Sequence, residues 1–161
     1  MVNRLVLLTA LVVTLTAVGL AQSQTSQGAR RVGPARAHAS IQTQVAEELA
    51  KTVADAFAEG ELGRLDAGRP YLGTVRIRVE HSITGEIVTR SFRTLAAAEQ
   101  WLNRGNQDSP RNSGTLRRCR RGVCAFEQEG MLHNNLYLQR ITYGLRRGRA
   151  YVKAIHVIDG D

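Results

Sequence analysis

Cysteine is nearly absent from these 161 residues: Cys119 and Cys124, spaced C-R-R-G-V-C, are the whole supply. That spacing is too wide for a C-x-x-C redox motif, and no second pair exists to complete a thiolate zinc site. Lysine is almost as scarce: of 22 basic residues all but Lys51 and Lys153 are arginine. Aromatic residues are 5% of the chain, and none lies inside the two densest arginine clusters. Base stacking therefore lacks a platform, and no specific nucleic-acid recognition is expected. G-x-S-x-G, P-loop and G-x-G-x-x-G motifs are missing too, so no nucleotide cofactor, and no cofactor of any kind, is expected. His81, His133 and His156 lack the i, i+4 spacing of a helical zinc pair, and no metal site is assigned.

One long uncharged run is present, at Leu5–Leu20, behind Arg4. Gly19 and Ala21 supply small residues before a cleavage ahead of Gln22, so residues 1–21 read as a signal peptide. The run falls short of the roughly 20 apolar residues of a spanning helix, so no transmembrane segment is expected after cleavage. The expected location is secreted or periplasmic. Residues 22–40, rich in Gln, Ser, Ala, Gly and Arg, read as a flexible linker. The remainder of the chain, residues 41–161, is long enough for a single domain.

Ser40 is placed to cap a helix whose Ile41, Val45, Leu49, Val53 and Phe57 recur every four residues, ending near Gly60. Gly63–Pro70 reads as a loop or short irregular helix. Val75, Ile77 and Val79 alternate with Arg76, Arg78 and Glu80, the period of a strand with one dry face. A turn at Ile83–Glu86 returns the chain through Ile87–Phe92. Thr94 caps a second helix, Leu95–Asn103, which Gly105 closes. Asn103–Gly114 reads as a mobile surface loop. Strands come next at Leu116–Cys119, Val123–Glu127, Leu136–Leu145 and Ala150–Ile158. Apolar residues on both parities of the long strand require two covered sides or a bulge near Gln139. Grouped strands and segregated helices define an α+β fold with an antiparallel sheet.

In an oxidising compartment Cys119 and Cys124 are expected to pair across the hairpin that Arg120–Val123 closes. The net charge is +8, and loss of Arg4 leaves about +7, which draws the protein to acidic polymers and envelope surfaces. Arg117, Arg118, Arg120 and Arg121 surround Cys119, while Arg146, Arg147 and Arg149 mark the next hairpin. Neighbouring hairpins would gather them into one anion-binding cationic tip, arginine's fork suiting phosphate, sulfate and carboxylate.

The element order resembles the NTF2-like (SnoaL-like) superfamily over about residues 41–161. The resemblance is carried by Phe92-x-x-Leu95-x-x-Ala98-x-x-Trp101-Leu102 and by the ending from Leu136-Tyr137-Leu138 through Gly148-Arg149 to Ile158-Asp159-Gly160-Asp161. It implies a strongly curved sheet packed against a long N-terminal helix and a second shorter one, leaving a cone-like pocket. It also implies a catalytic role, in family enzymes, for an acid or His base with Tyr or Asn donors. Here those positions would be His133 as base with Tyr137 or Tyr143 as donor, or Asp159 as rival base. Such families include enzymes, binding modules and scaffolds, so function is not settled by fold. The expectation is an exported, non-enzymatic module binding a ligand or partner, with an anionic envelope or extracellular polymer at its Arg-rich hairpins. The alternatives are a small cofactor-independent hydrolase or isomerase working in the cone, and a dimerisation scaffold whose open sheet face meets a second copy.

Overall fold

The computed structural model describes residues 34–104, 109–130 and 133–160, with side chains from residue 39 onward. The expected leader, residues 22–33 of the expected linker, Gly105, Met131, Leu132 and Asp161 lie outside the described residues. The elements are α1 (Pro34–Ala58), a 3-10 helix (Leu62–Gly68), β1 (Tyr71–His81), β2 (Ile87–Phe92), α2 (Leu95–Asn103), β3 (Arg111–Asn112), β4 (Thr115–Arg120), β5 (Val123–Glu127), β6 (Leu136–Arg146) and β7 (Arg149–Asp159). The class is α+β. Among the described residues no helix is long and apolar enough to cross a membrane.

Helix α1 begins six residues before Ser40, so the last stretch of the expected linker is helical and Ser40 is interior, not a cap. Pro34 stands at the first helical position, where a missing N–H costs no intrahelical bond. The four-residue repeat read from the sequence also divides. At 3.6 residues per turn an i, i+4 row winds about 40° around the helix at each step. Val53 and Phe57 are buried with Ala46 and Ala50, whereas Ile41 at the far end of the row is 58% exposed.

The sheet is mixed, which corrects the antiparallel expectation. Its order is β2-β1-β7-β6-β5-β4, with β3 paired to β6 off the main path. β1 runs parallel to β7, with Ile77 opposite Ile155 and Val79 opposite Val157. Sequence alternation identifies strands without their neighbours, and the hairpin partners of β1 and β7 concealed this pairing. The sheet is curved and does not close. Short β3, parallel to β6, occupies part of the expected mobile loop, and the Pro110 carbonyl accepts from Leu136 N at 3.0 Å.

A register shift between Leu138 and Arg140 places a bulge at Gln139 in β6. The helix-facing side of that strand is therefore Leu136, Leu138, Ile141 and Tyr143, all buried. A second shift skips Lys153 in β7 and leaves Val152 on the same side as Ile155 and Val157. Two bulges keep dry residues on one face of strands that a strict alternation would have turned over.

Cys119 and Cys124 form a disulfide and are opposite each other in the β4–β5 register. Both are buried, and Cys124 Sγ lies 3.7 Å from the Ala46 carbonyl oxygen of α1. The bridge thus serves as core beneath α1 as well as a hairpin staple. Closing so small a loop stabilises the fold by about 2 kcal/mol in the chain-entropy treatment. Denaturant titration with and without reductant is expected to show that loss, with a lowered midpoint; coincident curves would refute it.

Candidate functional site

The side of the sheet turned away from α1 is an arginine field. The register aligns one row across six strands: Arg118, Ala125, Arg140, His156, Arg78 and Thr89. The next row is Arg120, Val123, Thr142, Ala154, Arg76 and Ser91. All five arginines are exposed. Strands lie about 4.8 Å apart, so the first row spans roughly 20 Å with an arginine at every second strand.

Arg118, Arg120, Arg121 and Arg140 line a recess of about 440 Å³ whose remaining walls are Val123 and Ala125. No carboxylate lines it, and none of the four arginines is in an ion pair among the described residues. Farther along the row, Glu80 Oε2 lies 3.1 Å from His156 Nε2 and 3.6 Å from Arg78. Burial pulls the His156 imidazole below its ordinary value. Arg78 and Arg140 push the same way, against the raising influence of Glu80.

The second arginine cluster sits elsewhere. Arg146, Arg147 and Arg149 join Arg69 around a groove of about 710 Å³ between α1 and the β6–β7 hairpin. The β4–β5 turn is beside Tyr143, whose N–H donates to the Gly122 carbonyl at 2.8 Å. Both hairpin tips thus point to one end of the sheet, but their arginines line separate recesses. Arg117, at a register shift in β4, lies 3.9 Å from Glu127.

Three arginines in these recesses have left-handed backbone: Arg69 (φ 43°), Arg121 (φ 50°) and Arg147 (φ 49°). Arg121-Gly122 and Arg147-Gly148 form the two-residue tips of β4–β5 and β6–β7, with φ 81° and 75° at the glycines. Positive φ at both residues is the type I′ geometry, for which Asn-Gly is the favoured pair. A non-glycine residue held there costs on the order of 1 kcal/mol.

A third recess, of about 400 Å³, lies between α2 and the sheet, on the helix-facing side, with His81, Asp159, Trp101, Arg90 and Arg104 among its walls. Asp159 is 3% exposed, and its Oδ2 lies 3.3 Å from His81 Nδ1. Register sets the pair, because β1 and β7 run parallel with His81 opposite Asp159. Trp101 stacks at 5.5 Å on Phe92 and lies 5.5 Å under Arg90.

The four residues expected to form a base–donor set are not brought together. His133 is exposed on the turn before β6. Tyr137 is opposite Ile158, on the other face of β6 from the Leu136–Asp159 pair, and its hydroxyl accepts from Asn135 Nδ2 at 3.3 Å. Tyr143 shares the helix-facing side but lies seven residues along β6, roughly 20 Å from Leu136 at strand rise. Asp159 lines the recess between α2 and the sheet. Its neighbour His81 continues the parity of Val75, Ile77 and Val79, a signal legible in the sequence.

No family model, no curated protein and no solved structure matches the chain.

Proposed function

We propose that the protein is an exported, non-enzymatic module of the NTF2-like kind that binds linear anionic polymers across the outer face of its sheet. The observation that carries this reading is the recess of four arginines without a carboxylate, continuous with a row of arginines at every second strand. Such spacing suits a ligand that repeats its charge, such as a sulfated or phosphate-rich polymer, each contact being a guanidinium–oxyanion fork. The disulfide and the leader-like run Leu5–Leu20 behind Arg4 support an oxidising destination. A face-to-face homodimer on the same surface would set like charges against each other, which disfavours the scaffold alternative. The enzyme alternative rests on His81 and Asp159 alone, since the expected donors Tyr137 and Tyr143 stand apart from them.

The turn tips supply the test. Arg121→Asn with Arg147→Asn installs the favoured I′ residue at both, so the variant should be about 1 kcal/mol more stable in urea titration. It should also leave a heparin-like resin at lower salt than the parent. Gain of stability with unchanged elution would show that these two arginines take no part in polymer binding. Elution of the parent without regard to salt, or no retention at low salt, would sink the reading itself.

A further inference from the structure

The groove between α1 and the β6–β7 hairpin differs in character from the outer face. Its floor is apolar: Val45 and Leu49 from α1, Leu72 from β1 and Ala150 from β7. Leu72 is 47% exposed, and Leu145, the register partner of Ala150, is 38% exposed. Ile41, 58% exposed, lies one helical turn before Val45. Among the described residues, three of the five large exposed hydrophobics thus belong to this groove or flank it, the others being Ile83 and Ile87. Its rim is cationic, with Arg69, Arg146, Arg147 and Arg149 against one carboxylate, Glu48. At about 710 Å³ the groove has the volume of a small-molecule site.

We propose that this groove holds a single-chain anionic amphiphile, its phosphate or carboxylate head on Arg147, Arg149 and Arg69 and its hydrocarbon chain along Leu72, Val45 and Leu49. Charge complementarity and the position of the exposed apolar side chains select this occupant. A bare anion leaves the floor wet, and a neutral chain leaves four guanidiniums beside apolar surface with Glu48 as the one counter-charge in the lining. Arg69 and Arg147 hold positive φ at this rim, a backbone cost that alignment of a head group accounts for.

Calorimetric titration of the protein with dodecyl phosphate, kept below its micelle concentration, tests the proposal. The expected result is one site per chain, with affinity about a hundredfold above that for inorganic phosphate. Four covered methylenes suffice for that ratio. Dodecyl maltoside, of equal chain and no charge, should bind at least about tenfold more weakly than dodecyl phosphate. Leu72→Asp, at a position already half exposed, should lower dodecyl phosphate affinity about tenfold or more with melting temperature little changed. Val45→Asp, on the opposite wall, should do the same and guards against a folding defect in the first variant. Equal affinity for inorganic phosphate, or retention of binding in both variants, would overturn the proposal. So would response to vesicles containing anionic lipid without response to the monomeric amphiphile. Failure here is separable from failure of the polymer reading: Arg118→Ser with Arg140→Ser should lose heparin-like affinity and keep dodecyl phosphate binding.

Discussion

Replacing Arg118, Arg120 and Arg140 together by serine is expected to weaken binding to a heparin-like polymer by about a hundredfold, from roughly 1 kcal/mol for each exposed charge contact. The three side chains belong to adjacent positions on the outer face and line one recess without a carboxylate. Their removal takes away mutual repulsion and no ion pair, so unfolding in urea should occur at the same or slightly higher concentration. Released counterions drive polyanion binding, and the slope of log affinity against log salt should become shallower by about three. Loss of affinity with an unchanged slope would place the polymer elsewhere.

The same face carries a pH signature through His156, which lies between Arg140 of β6 and Arg78 of β1, with Glu80 at 3.1 Å. Its folded-state value is lowered from 6.5, chiefly by burial. The unfolded chain therefore binds the proton more readily, and this contribution to stability is present above the ordinary value and lost as pH falls through the folded one. A polyanion on the row favours the charged imidazole and reverses the trend. Affinity should rise on acidification below about pH 6.5, the ordinary histidine range. Titration of His156 by proton NMR should show its pKa moving upward when polymer is added; an unmoved titration would exclude contact with the row.

Asp66→Ala is expected to be the more damaging single substitution for the fold, with a loss of about 3 kcal/mol for two charge-assisted bonds. Asp66 Oδ1 accepts from Leu95 N at 2.8 Å and Oδ2 from Ala96 N at 3.0 Å, the first two amides of α2. The Thr94 hydroxyl accepts from Ala97 N at 3.2 Å, so three helix-entry donors are satisfied by two side chains. The Tyr71 hydroxyl donates to the same carboxylate at 2.8 Å, which ties the 3-10 helix to both α2 and β1. Burial, and then the Asp66 carboxylate, raise the Tyr71 phenol above its ordinary value. Thermal melting should show a drop of about 10 °C or more for a domain of this size. Asp66→Asn should fall between the two, because one amide oxygen remains to accept. A wild-type melt in Asp66→Ala would mean that water replaces the carboxylate at no cost.

The elements were legible where alternation or helical period was strong. The edges of β6 and β7, the Thr94 cap, the disulfide and the bulge at Gln139 all stem from local spacing and local chemistry. What remained hidden is non-local. Parallel pairing of β1 with β7 joins segments 78 residues apart in sequence, as in Ile77 with Ile155, and it alone sets His81 beside Asp159. The Asp66 clamp is equally remote, acting across 29 residues. The arginine row was missed for a related reason. Arg76, Arg78 and Arg140 stand apart from the clusters around Cys119 and Gly148, and only strand order aligns them with Arg118 and Arg120. Arg111 was hidden by its polar neighbourhood: it reads as loop, yet its side chain is 6% exposed and lies 5.5 Å over the Phe57 ring. The i, i+4 row of α1 failed in the opposite way, by promising one continuous buried stripe where helical geometry forces the row to turn out of the core.

Strand β7 comes last among the described elements yet occupies an interior place, flanked by β1 on one edge and β6 on the other. Before it pairs, the β1–β2 hairpin and the β4–β5–β6 strands have no strand to bridge them. Closure of the sheet thereby depends on pairing between segments distant in the chain, which is slow compared with local hairpin formation. A sheet knit through its middle by one strand comes apart along two seams at once when that strand is lost, so fraying of β7 would free β1 and β6 together.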